Sequence, residues 1–284
     1  MDSKRLSIIA LLLIAAAVSM FLPQLLDDNS DEGTSEGQSD EHLLNLEERS
    51  VRLTILYDNN PYDGRLETAW GFSCLVELGD ETILFDTGSE GEILARNIET
   101  LGVDVGGIDC LVLSHDHRDH TGGMDAILEA RGNITIYMLY SFPSIIKNSA
   151  TSTGATVIEV RDATIIYEGV ATTGALGTEI REQALIINTR NGLVILTGCS
   201  HPGVVEIVEC AKEITGKEVY LVMGGYHLGS IGDTGLSRIV SGVMDLGVKR
   251  VAPTHCTGDA ARSIFMEAYG ENYLGVGVGF SIDF

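Results

Sequence analysis

Ser114-His115-Asp116-His117-Arg118-Asp119-His120-Thr121-Gly122-Gly123 is the stretch from which the rest of this chain can be read. Three of the seven histidines and two aspartates stand within six consecutive positions. Upstream, Ile108-Asp109-Cys110-Leu111-Val112-Leu113 is an apolar, partly β-branched run that reads as a buried strand. Downstream, Gly122-Gly123 opens a stretch of helical spacing over residues 124–130. The cluster therefore belongs on a loop leaving the end of a strand, where α/β folds carry their sites.

Imidazole nitrogens and carboxylate oxygens are donors for zinc, iron and manganese. In extended backbone, residues two apart point the same way. His115 and His117 are thus expected to grip one cation, and Asp119 and His120, past the bend, to turn toward a second. The plain alternative is a solvated polar loop, which does not account for so dense a set of donors.

The 284 residues are 44% hydrophobic and 21% charged, enough for one sizeable core. A net charge of −23 creates a field that repels phosphate backbones, so nucleic acid is excluded as a partner. Cys74, Cys110, Cys199, Cys210 and Cys256 form no CxxC pair and no disulfide framework. Three segments are expected. Residues 1–26 carry Lys4-Arg5 and then an almost unbroken apolar run, expected to be a membrane anchor or a cleaved signal segment with the rest of the chain outside the cytoplasm. Residues 27–50 are acidic and Ser/Gly-rich, a disordered tether in which Leu43, Leu44 and Leu46 are expected to begin packing on the domain. Residues 51–284 form the domain. Its alternating strands, hairpin signals at Gly79-Asp80 and Asn191-Gly192, and intervening helical stretches give an α/β class. A final strand is expected over residues 273–278.

The His-rich stretch matches the HxHxDH signature of the metallo-β-lactamase superfamily, and Phe85-Asp86-Thr87-Gly88 resembles an earlier element of that family. Glu182-Gln183-Ala184-Leu185, Thr197-Gly198-Cys199-Ser200-His201-Pro202-Gly203, Gly224-Gly225-Tyr226-His227-Leu228 and Pro253-Thr254-His255-Cys256-Thr257-Gly258 are similar to a branch named for a dihydropterin-methyl ribofuranosylaminobenzene phosphate synthase. The resemblance implies a four-layer αββα sandwich with its site at one edge, between the sheets.

Beyond the signature, the buried run Val194-Ile195-Leu196 delivers His201 onto a loop, as a third ligand for the first cation. The resemblance implies that His255 joins Asp119 and His120 on the second. Asp86 is expected to accept an N–H from a ligand histidine and fix its tautomer. The chain departs from the family where a bridging Asp is common, because Cys199 stands there. Either Cys199 bridges as a thiolate, or there is no bridging carboxylate and His201 supplies the ligand by another route; the second is favoured. His227 is a substrate-facing residue, a ligand or a structural residue.

One or two divalent ions, zinc before iron or manganese, would hold a hydroxide and polarise a carbonyl or phosphoryl oxygen. Asp119 would both ligate and accept a proton. The expected function is hydrolysis of a small molecule. The alternatives are pterin and arylamine-ribose-phosphate transfer chemistry, as the branch label implies, and a membrane-tethered metal- or ligand-binding module without turnover.

Overall fold

The computed structural model describes residues 44–284. The first half runs β1 (Arg52–Tyr57), β2 (Ser73–Glu77), β3 (Thr82–Phe85), α1 (Gly91–Leu101), β4 (Cys110–Val112), α2 (Arg118–Thr121), α3 (Met124–Ala130), β5 (Thr135–Leu139), α4 (Ser144–Ser152) and β6 (Thr156–Val160). The second runs β7 (Thr164–Tyr167), β8 (Val170–Thr172), β9 (Leu185–Thr189), β10 (Gly192–Thr197), α5 (Val204–Thr215), β11 (Val219–Gly225), α6 (Asp233–Asp245), β12 (Arg250–Thr254) and α7 (Asp259–Tyr269). A last strand, β13 (Ser281–Asp283), returns to pair antiparallel with β1. One sheet has the order β13-β1-β2-β3-β4-β5-β6, the other β12-β11-β10-β9-β8-β7.

The period-two alternation of strands sorts their side chains into three apolar layers. In β3, Ile83 and Phe85 join an inner layer together with Val194 and Leu196 of β10, so the two sheets pack face to face. Leu84 points the other way, onto Leu94 and Ile98 of α1 and Ile127 of α3. Leu193 and Ile195 of β10 likewise turn outward onto α5, α6 and α7. The helices meet them with stripes at helical spacing, such as Val204, Ile207, Val208 and Ala211 of α5. Each buried Leu, Ile, Val or Phe contributes about 1.5–3 kcal/mol relative to exposure. The result is the αββα sandwich that the resemblance implies.

β3 through β6 run parallel, and so do β10, β11 and β12. The carboxyl ends of these parallel strands release every candidate ligand: Asp86 after β3, His115 to His120 after β4, Cys199 and His201 after β10, His227 after β11, and His255 and Cys256 after β12. Among the described residues, the non-glycine positions with positive φ are Asp86 (58°), Ser200 (62°), His227 (52°) and His255 (48°), all in these loops. Each such conformation costs on the order of 1–3 kcal/mol and persists where surrounding structure over-determines it.

Two expectations are corrected. Residues 273–278 form no strand, only isolated bridges such as Pro61 with Val278, and the sheet closes through β13 instead. Gly277 lies so close to the Asn60 carbonyl that a Cβ would sit 2.3 Å from its oxygen, so this segment is pressed against a loop rather than laid beside a strand. The membrane anchor or signal segment is the second. Among the described residues no helix is long and apolar enough to cross a membrane, and the apolar run of residues 1–26 lies outside them. The membrane partner, the transmembrane assignment and the placement outside the cytoplasm are withdrawn with it. Residues 44–50, read as the end of a tether, lie against the domain: Leu46 is buried, and its carbonyl accepts Asn188 Nδ2–H at 2.8 Å.

Candidate metal centre

The loop after β4 is shaped by one buried carboxylate, Asp86. Its Oδ1 accepts the Ser114 backbone N–H at 2.7 Å, and its Oδ2 accepts the Ser114 hydroxyl at 2.7 Å. Having donated there, Ser114 Oγ accepts from His115 Nδ1–H at 2.9 Å. Asp86 Oδ2 also accepts His120 Nδ1–H at 2.7 Å. The network thereby assigns both rings the Nδ1–H tautomer and leaves both Nε2 atoms as acceptors, that of His115 unpartnered and that of His120 facing Cys199 Sγ. A third ring is set the same way: His255 Nδ1–H donates to Asn59 Oδ1 at 2.9 Å.

The free nitrogens converge. Donor atoms of His115, His117 and His201 lie within 4.8 Å of one another, with ring centroids 4.6 to 4.8 Å apart. Donor atoms of Asp119, His120, Cys199 and His255 form a second group on the same criterion. Within it His120 Nε2 lies 3.2 Å from Cys199 Sγ. Asp119 Oδ2 lies 3.3 Å from His255 Nε2 and 3.6 Å from His120 Nε2. Nε2 of His115, His201 and His255 are buried with no hydrogen-bond partner. Buried polar atoms rarely go unmet, and two groups of imidazole, carboxylate and sulfur donors this close together suit divalent cations.

The electrostatics agree with that use. Burial and the surrounding histidines hold His115 well below the ordinary imidazole range and His201 down to about 4, so both offer neutral rings. Burial opposes charge on His120, but Asp86 and Asp119 outweigh it and raise its pKa. Burial likewise works against the Asp119 carboxylate, yet the His255 hydrogen bond and the His120 and His255 charges hold it below its usual range. A thiol hydrogen bond between Cys199 and Cys256 pushes the Cys199 thiol up, and together with the nearby His227 it pulls Cys256 below the ordinary thiol range.

The sites expected from the sequence come together: His115, His117 and His201 in one group, Asp119, His120 and His255 in the other, with Asp86 behind both. Cys199, for which a place without a bridging role was favoured, has its sulfur inside the second group. His227 lies at the rim, its ring centroid 4.3 Å from that of His201. Three contributors escaped the sequence reading. Glu182 is fully buried; its Oε1 accepts the backbone N–H groups of Gly198, Cys199 and Ser200 at 2.9 to 3.0 Å, and its Oε2 that of His201 at 2.8 Å. Asn59 orients His255. Trp70, 56% exposed, donates Nε1–H to Asp119 Oδ2 at 2.9 Å and stands over the His255 ring at 4.9 Å. The only sequence signal for Glu182 is its place in the Glu182-Gln183-Ala184-Leu185 motif, which names no partner.

A cleft of about 330 Å³, lined by Gly177, Thr178, Glu179, Ile180, Pro202 and Glu206, reaches His201 of the first group. A larger one of about 460 Å³, beside Arg52, Glu77 and Asp104, contains none of the candidate ligands.

Comparison with known proteins follows the same lines. The profile of the metallo-β-lactamase superfamily matches residues 71–207. The chain is 28% identical over 280 residues to a 7,8-dihydropterin-6-methyl-4-(beta-D-ribofuranosyl)-aminobenzene-5'-phosphate synthase of Methanocaldococcus jannaschii, covering 81% of this chain and 95% of that protein. It is 27% identical to an uncharacterized protein of the same organism, over 72% of this chain and 90% of that one. Among solved structures it resembles Tm1679, a metal-dependent hydrolase of the β-lactamase superfamily, with 26% identity and a TM-score of 0.70 over 82% of this chain and 98% of that one. A diphosphatase of the PhnP family, at 15% identity and a TM-score of 0.57 over 83% of this chain and 97% of that one, shares the fold.

Proposed function

We propose that this chain, which belongs to the metallo-β-lactamase superfamily, is a metal-dependent hydrolase of a small molecule. The observation that carries the reading is the convergence of buried, unpartnered imidazole nitrogens with Asp119 and Cys199 on two adjoining seats. His115, His117 and His201 hold the first ion. Asp119, His120, His255 and Cys199 hold the second. Mixed nitrogen, oxygen and sulfur donors suit zinc best.

Ions held there would supply Lewis acidity and lower the pKa of water to about 7. The remaining work falls to the chain. Asp86 and Asn59 keep the rings in the tautomer that presents Nε2. Trp70 holds Asp119 Oδ2 in place, and Asp119 takes the proton that water gives up. The cleft beside His201 admits the substrate.

One observation favours a second reading. The synthase of Methanocaldococcus jannaschii is aligned over 95% of its length, which supports joining a dihydropterin-6-methyl compound to an arylamine ribose phosphate. The test sets both against each other. Zinc-loaded protein is offered ester, lactone and phosphodiester panels and, separately, a dihydropterin-6-methyl donor whose methyl carbon bears a leaving group, to be displaced by 4-(β-D-ribofuranosyl)aminobenzene 5′-phosphate. Hydrolysis that falls by at least about 10³-fold in His117→Ala supports the hydrolase. Joining without hydrolysis supports the transferase. No turnover in either arm leaves a binding module and defeats both.

A further inference from the structure

Three neighbouring parallel strands end in side chains that the two seats above do not exhaust. Cys199 follows β10, His227 follows β11 and Cys256 follows β12, and these strands are hydrogen-bonded in that order. Both Cys199 and Cys256 are buried free thiols, while His227 is exposed. The two sulfurs and a ring nitrogen of His227 lie within 4.8 Å of one another. His227 and Cys256 belong to neither of the other donor groups.

The backbone is arranged to keep this space open. A Cβ on Gly225 would sit 2.6 Å from Cys256 Sγ and 2.4 Å from the Gly198 carbonyl oxygen, so only glycine leaves room for the sulfur. The loops bearing His227 and Cys256 are tied together before any ligand arrives. Thr257 Oγ1 accepts the Tyr226 N–H at 3.1 Å and donates to the Thr254 carbonyl at 2.6 Å. A Cβ on Gly258 would lie only 2.8 Å from Gly229 Cα, which records how closely the two loops abut. His227 adopts a φ of 52° there, a conformation that brings its ring onto the rim.

We infer that Cys199, His227 and Cys256 form a third metal seat, selective for a thiophilic ion such as zinc or cadmium, which shares the Cys199 sulfur with the second seat. Two thiolates and one imidazole form a soft donor set that disfavours magnesium, calcium and manganese. Three protein ligands leave a fourth tetrahedral position open, and because His227 is exposed that position is reachable from solvent. The sharing rests on the proposed role of Cys199 in the second seat; the triad of donors stands without it.

Cadmium serves as the probe. The full-length chain, stripped with a chelator and kept reduced, is titrated with Cd²⁺ while bound ions are counted and sulfur-to-cadmium absorption is followed. Three ions per chain are expected, falling to two in Cys256→Ser with most of that absorption lost. His227→Ala, a change at an exposed side chain that leaves the core intact, is expected to weaken the third ion at least about tenfold, as loss of a direct ligand should exceed the 10–100-fold range of outer-shell changes at its lower end. If wild type saturates at two ions, and Cys256→Ser and His227→Ala change neither count nor absorption, the third seat does not exist. His117→Ala separates the two claims. If it removes one ion and spares the sulfur absorption, the first seat is independent of the third. If it leaves the count at three while Cys256→Ser lowers it, the third seat survives and the hydrolase reading loses its first ion.

Discussion

The two halves of the domain build their shares of the candidate metal centre in opposite ways. In the first half, His115, His117, Asp119 and His120 lie on one short loop, and a single carboxylate, Asp86, sets two of the rings through one hydrogen-bond cluster. In the second half, Cys199, His201 and His255 leave two different strands, and no single side chain sets the rings: Glu182 holds the loop of Cys199 and His201 by its backbone, and Asn59 orients His255. The carboxylates differ accordingly. Asp86 acts on side chains as well as backbone, whereas Glu182 grips four consecutive backbone N–H groups and so fixes a loop's path rather than a ring's tautomer. A local cluster is specified by spacing, and a distributed one only by the completed fold.

Replacing the second-half anchor should break this contrast most strongly. Glu182→Ala leaves four buried donors unmet, and at about 1–3 kcal/mol each, partly relieved by water entering the space, a loss of at least about 3 kcal/mol in stability is expected. Denaturant unfolding measures it, and a loss below 1 kcal/mol would mean that the loop holds its own shape. Metal removal should sharpen the contrast at somewhat smaller cost. An ion at 100 times its Kd adds about 2.7 kcal/mol to stability. Chelation should therefore speed amide exchange at residues 198–201 and 255–258 more than at residues 114–120, which Asp86 continues to hold. Equal acceleration in both regions would remove the distinction.

Asp86→Asn comes next. One amide oxygen still accepts from Ser114, but the amide NH₂ now faces either the Ser114 hydroxyl and His120 Nδ1–H or the backbone N–H. Zinc affinity is expected to fall 10–100-fold, with the fold retained. Competition with a chromogenic chelator reads this directly. The smallest effect belongs to Trp70→Phe, which keeps an aromatic ring over His255 and removes the bond to Asp119. A change of about 1 kcal/mol, or roughly fivefold in turnover, is expected. A hundredfold loss would assign Trp70 a direct part in binding substrate.

The same contrast explains what was legible in the sequence. The His-rich loop could be read because its donors and their strand are contiguous. The strands of the sandwich could be read from alternation, as in Ile83-Leu84-Phe85, which feeds two layers at once. Residues 273–278 defeated that rule, because apolar residues between glycines resemble a strand until Gly277 is found pressed against Asn60. Asp86, 34 positions from His120, could be read only because its motif resembles a family element; Glu182 and its backbone partners, Trp70 with Asp119 and Asn59 with His255 carry no such signal. No local pattern encodes such pairings. The direction of the Cys199 sulfur was equally hidden, since it depends on how the loop turns after β10, and Glu182 decides that turn.

The separation of the ligand loops along the chain has a consequence for biosynthesis. At ~5–20 residues per second, a ribosome needs roughly 7–27 seconds to advance from His120 to His255. Throughout that interval the nascent polypeptide displays only part of the candidate donor set. If the proposed seats hold metal, the full donor set exists only once translation has passed Cys256, so the order of the strands would set the earliest moment of loading.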